Sequence, residues 1–323
     1  MLTTLILEPK DYSIKALAIY KKLGLVYLTT ELKKNEIKEI LGKTNILVVR
    51  LANKINKVLM GQMPHLQVIA SPTTGLNHID ADEVRRRGIK LVSLRGRTSF
   101  LKYIPSTAEE TIALILALVK NIPWSFDDVK RGKWDRDSFR GHQLIGKTLG
   151  LIGLGRLGKI VARYAKAFGM KVIASDPNVS RNVMLQRGVK KVSLDELCKA
   201  SDIVSLHTSY SPQNGKFFGR KFFRIMKPEA YFINTARGEL TDERALLEAL
   251  NKKWIKGAAI DVMTNERGNG SHLRGNPLLT YARKHRNLLI VPHLGGATYE
   301  AMQITEDFIA NLVLEHFRKS RRY

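Results

Sequence analysis

The stretch that most constrains this chain is Gly153-Leu154-Gly155-Arg156-Leu157-Gly158. A G-x-G-x-x-G spacing is weak alone, but here it follows an apolar run, KTLGLI. It opens a segment with apolar residues at helical spacing (Leu157, Ile160, Val161, Tyr164, Phe168) that stops at Gly169. A second run, KVIAS, leads to Asp176, 18 positions after Gly158. Strand, glycine turn, helix, strand and acid in that order predict a dinucleotide-binding βαβ unit. Gly153 permits the tight turn, Gly155 lets the backbone approach a pyrophosphate, and Gly158 lets helix and strand pack closely. The free N–H groups and dipole of the helix start attract phosphates. Asp176 can accept hydrogen bonds from two ribose hydroxyls and would repel a 2′-phosphate, which favours NAD over NADP. Arg181 lies close by in sequence and keeps an NADP-linked reductase as an alternative.

The rest of the chain alternates short apolar runs with amphipathic segments. TLILE, LVYLTT, ILVVRL, LQVIASP and KLVSL are separated by helical stretches such as LKKNEIKEIL and DADEVRRRG. After the helix STAEETIALILALVKNI a second series begins: KTLGLIG, MKVIASD, DIVSLHT, AYFINT, GAAIDV and NLLIVPH. Apolar strands alternating with helices predict parallel sheets covered on both faces. The expected architecture is α/β: a Rossmann-type doubly wound sheet of six strands plus a smaller flavodoxin-like α/β domain ending near residue 104. Ser193 and Glu196 fit a capping box, and another helix follows Thr241-Asp242. A last helix, roughly from Tyr299 to Phe317, could pack back onto the first domain.

Composition excludes several classes. Hydrophobic content of 44% and charged content of 26%, interleaved along 323 residues, are those of a globular chain of two domains. The single cysteine, Cys198, cannot build a disulfide framework or a cysteine zinc site, and no metal is expected. The reading is cytoplasmic, with no signal peptide, and TIALILALV is far short of the roughly 20 residues that span a bilayer. The net charge of +25 stands apart. Residues 1–104 hold 18 Lys+Arg and 8 Asp+Glu, so the excess occurs in both parts. The clusters Arg85-Arg86-Arg87 and Arg318-Lys319 through Arg321-Arg322 are short. With no RNA- or DNA-binding motif and no aromatic-interleaved basic stretch, the expectation is a generally basic solvated surface, and nucleic acid is not expected as the main partner.

Other candidates stand where predicted strands end. Arg237 follows AYFIN in INTARGEL, and its guanidinium can fork onto a carboxylate. His293 follows LLIVP in VPHLGGAT and can exchange a proton near neutral pH. Gly295 and Gly296 are read as keeping its surroundings open to a ligand. Asp261 ends GAAID, and Glu266 in the next loop could hydrogen-bond His293 and favour its protonated form.

GKTLGLIGLGRLGK, INTARGEL with DERALLEAL, KGAAIDV and VPHLGGAT, in this order, resemble the D-2-hydroxyacid dehydrogenases over nearly the whole chain. That family includes phosphoglycerate dehydrogenases, glyoxylate reductases and D-lactate dehydrogenases, and this chain looks phosphoglycerate dehydrogenase-like. The resemblance implies that Arg237, Glu266 and His293 form a catalytic set. It implies that Thr74 and Gly75 in SPTTGLNHID offer backbone N–H groups to the substrate carboxylate. It also implies cofactor contacts from His207, Thr235, Ala236 and Asp261, joining Gly153, Gly155, Arg156, Leu157, Gly158, Asp176, Gly295 and Gly296. It implies a discontinuous substrate domain (1–104 and 297–323), an NAD domain (105–296) and a homodimer formed through the NAD domain. Several segments depart from the common pattern: RGNGSHLRGNP follows Glu266 where members often have proline, LHTSYSPQNG stands where a histidine-x-proline is more usual, the loop RGRTSFLKYIPSTAEE is longer than in many members, and RLANK lacks a second arginine.

The expectation is therefore an NAD-dependent oxidoreductase that moves a hydride between nicotinamide and a small anionic D-2-hydroxy or 2-keto acid. Arg237 would clamp the carboxylate, and His293, oriented by Glu266, would exchange the hydroxyl proton. The alternative from the same resemblance is an NAD(H)-binding corepressor-like regulator that works through protein partners.

Overall fold

The computed structural model describes residues 1–320, so Arg321 and Arg322 of the C-terminal basic cluster lie outside the described residues. The chain divides into two compact units, one of Met1–Ile104, Arg267–Ser271 and the segment from Ala297, the other of Pro105–Glu266 and His272–Gly296.

The first unit carries strands β1 (Leu2–Ile6), β2 (Gly24–Leu28), β3 (Ile46–Val48), β4 (Val68–Ser71) and β5 (Lys90–Ser93), all parallel, in the order β2-β1-β3-β4-β5. This is the flavodoxin-like order, whose reversal falls between β1 and β3. Strands β3 and β4 are buried along their whole length because apolar layers cover both faces. On one face Tyr20, Ile46 and Val68 pack with Ile309, Val313 and Phe317, and on the other Leu47, Ile69, Met60 and Met63 pack together. The C-terminal helix Tyr299–Ser320 belongs to this unit. Polar contacts hold it there: Glu306 accepts the Ser13 N–H at 2.7 Å and the Arg50 Nε–H at 2.9 Å, and Phe308 stacks on Phe100. Ser13 in turn caps the helix Ile14–Lys21.

The second unit carries β6 (Thr148–Ile152), β7 (Lys171–Ser175), β8 (Lys190–Lys191), β9 (Ile203–Leu206), β10 (Tyr231–Asn234), β11 (Gly257–Ile260) and β12 (Leu288–Ile290). The order is β12-β11-β10-β9-β6-β7-β8, all parallel, so the direction of winding reverses between β6 and β9. The sheet has seven strands where the apolar runs predict six. The extra one, β8, is two lysines at the edge and carries no apolar signal. TIALILALV lies within the helix Ser106–Val119, whose Ile112, Leu114, Ile115 and Leu118 are buried against this sheet. Ser193 and Glu196 form the expected capping box, and Asp242 caps the helix Glu243–Asn251. No described helix is long and apolar enough to cross a membrane.

Because all seven strands run parallel, their carboxyl ends share one edge. The glycine turn follows β6, His207 follows β9, Arg237 follows β10, Asp261 follows β11 and His293 follows β12. Ligands of open α/β sheets bind at this edge, beside the reversal point.

Candidate active site

At the reversal point the three glycines occupy distinct environments. Gly153 has φ +96°, and a Cβ there would stand 2.7 Å from the His207 carbonyl oxygen. A Cβ on Gly158 would stand 2.4 Å from the Gly153 oxygen. At Gly155 an added Cβ meets nothing within 4 Å. The turn is therefore locked from behind and clear in front, directly at the start of the helix Arg156–Ala167. That geometry fits a dinucleotide pyrophosphate. Asp176 orients the turn as well, since its Oδ2 accepts the Leu154 N–H and its Oδ1 the Asn178 N–H, each at 2.8 Å. Each oxygen keeps a further lone pair for a ribose hydroxyl. Arg156 is half-buried, and burial lowers its guanidinium pKa. His207 lies beside the turn with Nε2 2.9 Å from Ser205 Oγ, and burial pushes its imidazole down to about 4, so it is neutral at physiological pH.

The loop after β10 is built on Asn234, 1% exposed. Its Nδ2 donates to the Arg237 carbonyl at 2.9 Å and to Thr241 Oγ1 at 3.1 Å, and its Oδ1 accepts the Ala236 N–H at 3.0 Å. Arg237 is half-buried and donates one N–H to the Ala236 carbonyl at 2.6 Å. Burial lowers its pKa, opposed by the charges of Glu266, Glu239 and Asp261, and the group stays a cation. Thr235 is 5% exposed with its hydroxyl 2.8 Å from that of Thr111, so only its backbone is left to meet a cofactor.

His293 and Glu266 meet directly, with Nδ1 2.6 Å from Oε2. Glu266 also accepts the Met263 N–H at 2.6 Å. Burial raises the Glu266 pKa, but the His293 contact, the Met263 amide and the Arg237 charge outweigh it, and the net shift is downward. An ionised Glu266 requires the proton on Nδ1, which fixes the tautomer and leaves Nε2 to exchange a proton with a ligand. The loop carrying Glu266 is tied at Thr264, whose N–H donates to Glu243 Oε1 at 2.6 Å.

His293 itself has φ +56°, a left-handed conformation that costs a non-glycine residue about 1 kcal/mol or more. Asp261, 1% exposed, imposes it. The Asp261 carbonyl accepts the His293 N–H at 2.9 Å, Oδ2 accepts the Gly295 N–H at 2.9 Å, and Oδ1 accepts the Leu294 N–H. Burial raises the Asp261 pKa, and the two amides partly offset this. In the structure this carboxylate is first a clamp on the histidine loop. Gly295 differs from its sequence reading. It is buried, its carbonyl accepts from Ser106 Oγ and Thr107 Oγ1 at 2.8 Å each, and a Cβ would stand 2.9 Å from Thr107. Gly295 is therefore a packing residue with its polar groups spent, whereas a Cβ on Gly296 meets nothing within 4 Å.

Thr74 and Gly75 lie in the first unit, in the loop after β4. Thr73 holds that loop by donating to the Gly75 carbonyl at 2.9 Å. Sequence reasoning missed Asn234, Glu243 and the Ser106/Thr107 pair. Asn234 sat in plain view inside INTARGEL, while the others carry no local signal.

A parallel sheet with a glycine turn at its reversal point, and an arginine, a glutamate–histidine pair and a buried aspartate along the same edge, has the form of a dinucleotide-binding unit with acid–base groups beside it. Residues 112–295 match the family described as D-isomer specific 2-hydroxyacid dehydrogenase, NAD binding domain, and the chain belongs to that family. It is 37% identical over 304 residues to the D-3-phosphoglycerate dehydrogenase of Methanocaldococcus jannaschii, covering 94% of this chain and 55% of that protein. It is 34% identical over 296 residues to the hydroxypyruvate reductase of Thermotoga maritima, covering 92% of each. The D-lactate dehydrogenase from Aquifex aeolicus, solved as a complex with NAD and lactic acid, superposes with a TM-score of 0.81 at 28% identity, over 98% of this chain and 96% of that one. The chain spans about half the length of the phosphoglycerate dehydrogenases it matches.

Proposed function

We propose that the chain is an NAD-dependent oxidoreductase acting on a small 2-hydroxy or 2-keto acid. The observation that carries the reading is the His293–Glu266 pair, 2.6 Å apart, with an arginine cation after the neighbouring strand β10 and the glycine turn at the same sheet edge. A bound nicotinamide would supply or accept the hydride. The protein's own groups do the rest. Arg237 holds the substrate carboxylate with guanidinium N–H groups beyond the one given to Ala236, and it draws electron density from the keto oxygen. His293 delivers a proton from Nε2 to that oxygen in reduction and removes it in oxidation. Glu266 keeps Nδ1 protonated and the ring in place. Gly153, Gly155, Leu157 and Gly158, with Arg156, would hold the pyrophosphate, and Asp176 the ribose. His207, Ala236, the Thr235 backbone and Asp261 would line the nicotinamide side. In the first unit, Thr74 and Gly75 are proposed as backbone donors to the substrate.

The test is NADH consumption by the full chain with a panel of 2-keto acids, phosphorylated and not, comparing wild type with His293→Ala. The variant should lose roughly 10²–10⁴-fold in kcat/KM. Equal rates would remove His293 from the mechanism. NADH binding without turnover on any acid of the panel would favour a regulator.

We further propose self-association through the second unit. It exposes Ile122, Phe126, Val129, Trp134 (90% exposed) and Ile145, beside a groove between the helices Ser106–Val119 and Arg156–Ala167 lined by Ile112, Leu116 and Tyr164. Large apolar side chains gathered on one unit mark an association surface. Sedimentation of wild type against Trp134→Glu/Phe126→Glu reads it, and a wild-type monomer would overturn it.

A further inference from the structure

The net charge of +25 is not spread evenly. Residues 147–191 contain ten Lys+Arg and one acid, Asp176, so 45 residues carry +9 of the excess. They form one block of the second unit, the edge β6-β7-β8 with the helices Arg156–Ala167 and Arg181–Leu185. Asp176 itself is engaged with the amides of Leu154 and Asn178.

On the helix Arg156–Ala167 the apolar face is Val161, Ala162 and Ala165, all buried. Lys159, Arg163 and Lys166 recur at intervals of four and three, which places them along one side of the cylinder. The stripe continues past the helix end, because Lys166 Nζ donates to the Arg187 carbonyl at 2.5 Å. From Arg187 the chain leads into Lys190 and Lys191 of β8, the outermost strand. Arg163, Lys166, Lys171, Arg181, Arg187 and Lys190 are all exposed. Among the described residues none of them pairs with a carboxylate. Lys166 donates to a backbone carbonyl, as does the half-buried Lys191, and Arg163 lies over the Tyr164 ring.

The region around the helix Arg220–Ile225 is just as rich in cations but differently arranged. There Arg220 and Lys252 meet Glu248, Lys221 meets Asp195, Lys227 meets Asp202 and Lys256 meets Glu229. A basic composition alone would produce paired and unpaired cations on every face. Cations without a carboxylate partner occur elsewhere among the described residues too, Lys34 and Lys38 included, but this edge sets ten cations against a single acid that is already engaged. Uncompensated like charges gathered in one block repel, so their retention there points to a partner that supplies the missing anions in a row.

We propose that this edge, from Lys159 through Arg163, Lys166 and Arg187 to Lys190, with Lys171 and Arg181 beside it, binds the phosphate backbone of double-stranded nucleic acid without reading its sequence. A helix of 12 residues is roughly 18 Å long, and its cations recur about every 5 Å. A duplex presents about one phosphate charge per 1.7 Å of its axis, so a row of this length faces several phosphates at once. The aromatic residues within the row, Tyr164 and Phe168, line the groove shared with the helix Ser106–Val119, which leaves phosphates as the ligand of the basic edge. The surface lies outside the residues assigned to the hydride-transfer site, so binding there is a separate property of the same chain.

The experiment uses the full 323-residue chain. Fluorescence anisotropy of a labelled 24-base-pair duplex DNA, and of the same duplex as RNA, is followed from about 50 to 200 mM salt, the range over which phosphate contacts lose their counterion advantage. One variant carries Arg163→Glu, Lys171→Glu, Arg187→Glu and Lys190→Glu. A control carries the same change of charge elsewhere, Lys21→Glu, Lys22→Glu, Lys34→Glu and Lys38→Glu. Wild type and control should bind both duplexes. The edge variant should bind at least tenfold more weakly at low salt, and its slope of log affinity against log salt should fall by about 3 to 4, at about 0.9 per lost phosphate contact. Unchanged NADH binding by the edge variant shows that its fold is intact. Equal loss in the control and edge variants would reduce the effect to net charge and overturn the proposal. So would wild-type binding to phosphatidylserine vesicles but to neither duplex, which would assign the edge to a membrane surface.

Discussion

The glycine turn after β6 and the loops after β10, β11 and β12 stand on the same sheet edge, but they are held by opposite means. The turn is shaped by exclusion. Gly153 and Gly158 lie so close to the His207 and Gly153 oxygens that no side chain fits, and one bond from the Leu154 amide to Asp176 completes its path. The loops after β10, β11 and β12 are shaped by attachment. Asn234, Asp261 and Glu243 each reach from a strand end or helix start to take the backbone groups of a neighbouring loop. Exclusion keeps a surface bare for a cofactor's phosphates. Attachment fixes the direction of reactive side chains and tolerates a left-handed backbone at His293. A cradle and a catalytic constellation thus ask different things of the same edge.

Breaking the excluded region should have the larger effect. In Gly158→Ala the new methyl would stand 2.4 Å from a backbone oxygen, which cannot swing aside as a side chain would. Overpacking of this kind costs typically 1–3 kcal/mol and sometimes more. The cost falls on the turn proposed to hold the pyrophosphate, so the NADH Kd should rise by about a hundredfold, near the upper end of that range. Titration of intrinsic fluorescence with NADH reads it, and an unchanged Kd would mean that the turn yields easily. Breaking the attached region should cost less. Asp261→Asn keeps the shape but turns an NH2 group toward the Leu294 and Gly295 donors, losing about 1–2 kcal/mol of hydrogen bonding. The His293 loop should loosen, and kcat should fall about tenfold with a smaller change in NADH Kd. A drop in NADH affinity without a drop in kcat would make Asp261 a cofactor contact only, and the clamp would be wrong.

The same contrast governs what could be read from the amino acids. Exclusion writes itself into a fixed spacing, so Gly153, Gly155 and Gly158 with Asp176 were legible before any coordinates. The α/β class, the family and the Ser193/Glu196 capping box were legible for the same reason, because period and local order carry them. Attachment leaves no such trace. Asp261 meets amides 33 and 34 residues away, and Glu243 meets one 21 residues away, separations that nothing local encodes. Gly295 shows how a correct residue can carry the wrong reason: it was read as open to a ligand, but Thr107 and Asp261 close around it. The strand β8 escaped because two lysines at an edge bury nothing. The concentration of unpaired cations was countable in the sequence, but their lack of carboxylate partners was not.

His207 joins the two regions, since its carbonyl backs the glycine turn and its ring meets Ser205 on β9. It gives the smallest predicted effect, confined to acid. Its folded pKa is about 4, against about 6.5 for a free histidine. The unfolded chain therefore binds a proton between these values that the folded chain refuses, and folding weakens as pH falls through that window. At about 1.36 kcal/mol per unit the loss is at most about 3 kcal/mol by pH 4, and partial exposure of the ring reduces it to about 1–2. The Glu266 pKa is lowered, so its contribution is lost only further into acid. Urea unfolding at pH 7 and pH 5 should show wild type losing about 1 kcal/mol more than His207→Gln between the two. If both proteins lose the same amount, the ring is more hydrated than its burial implies, and the turn has a softer backing than Gly153 indicates.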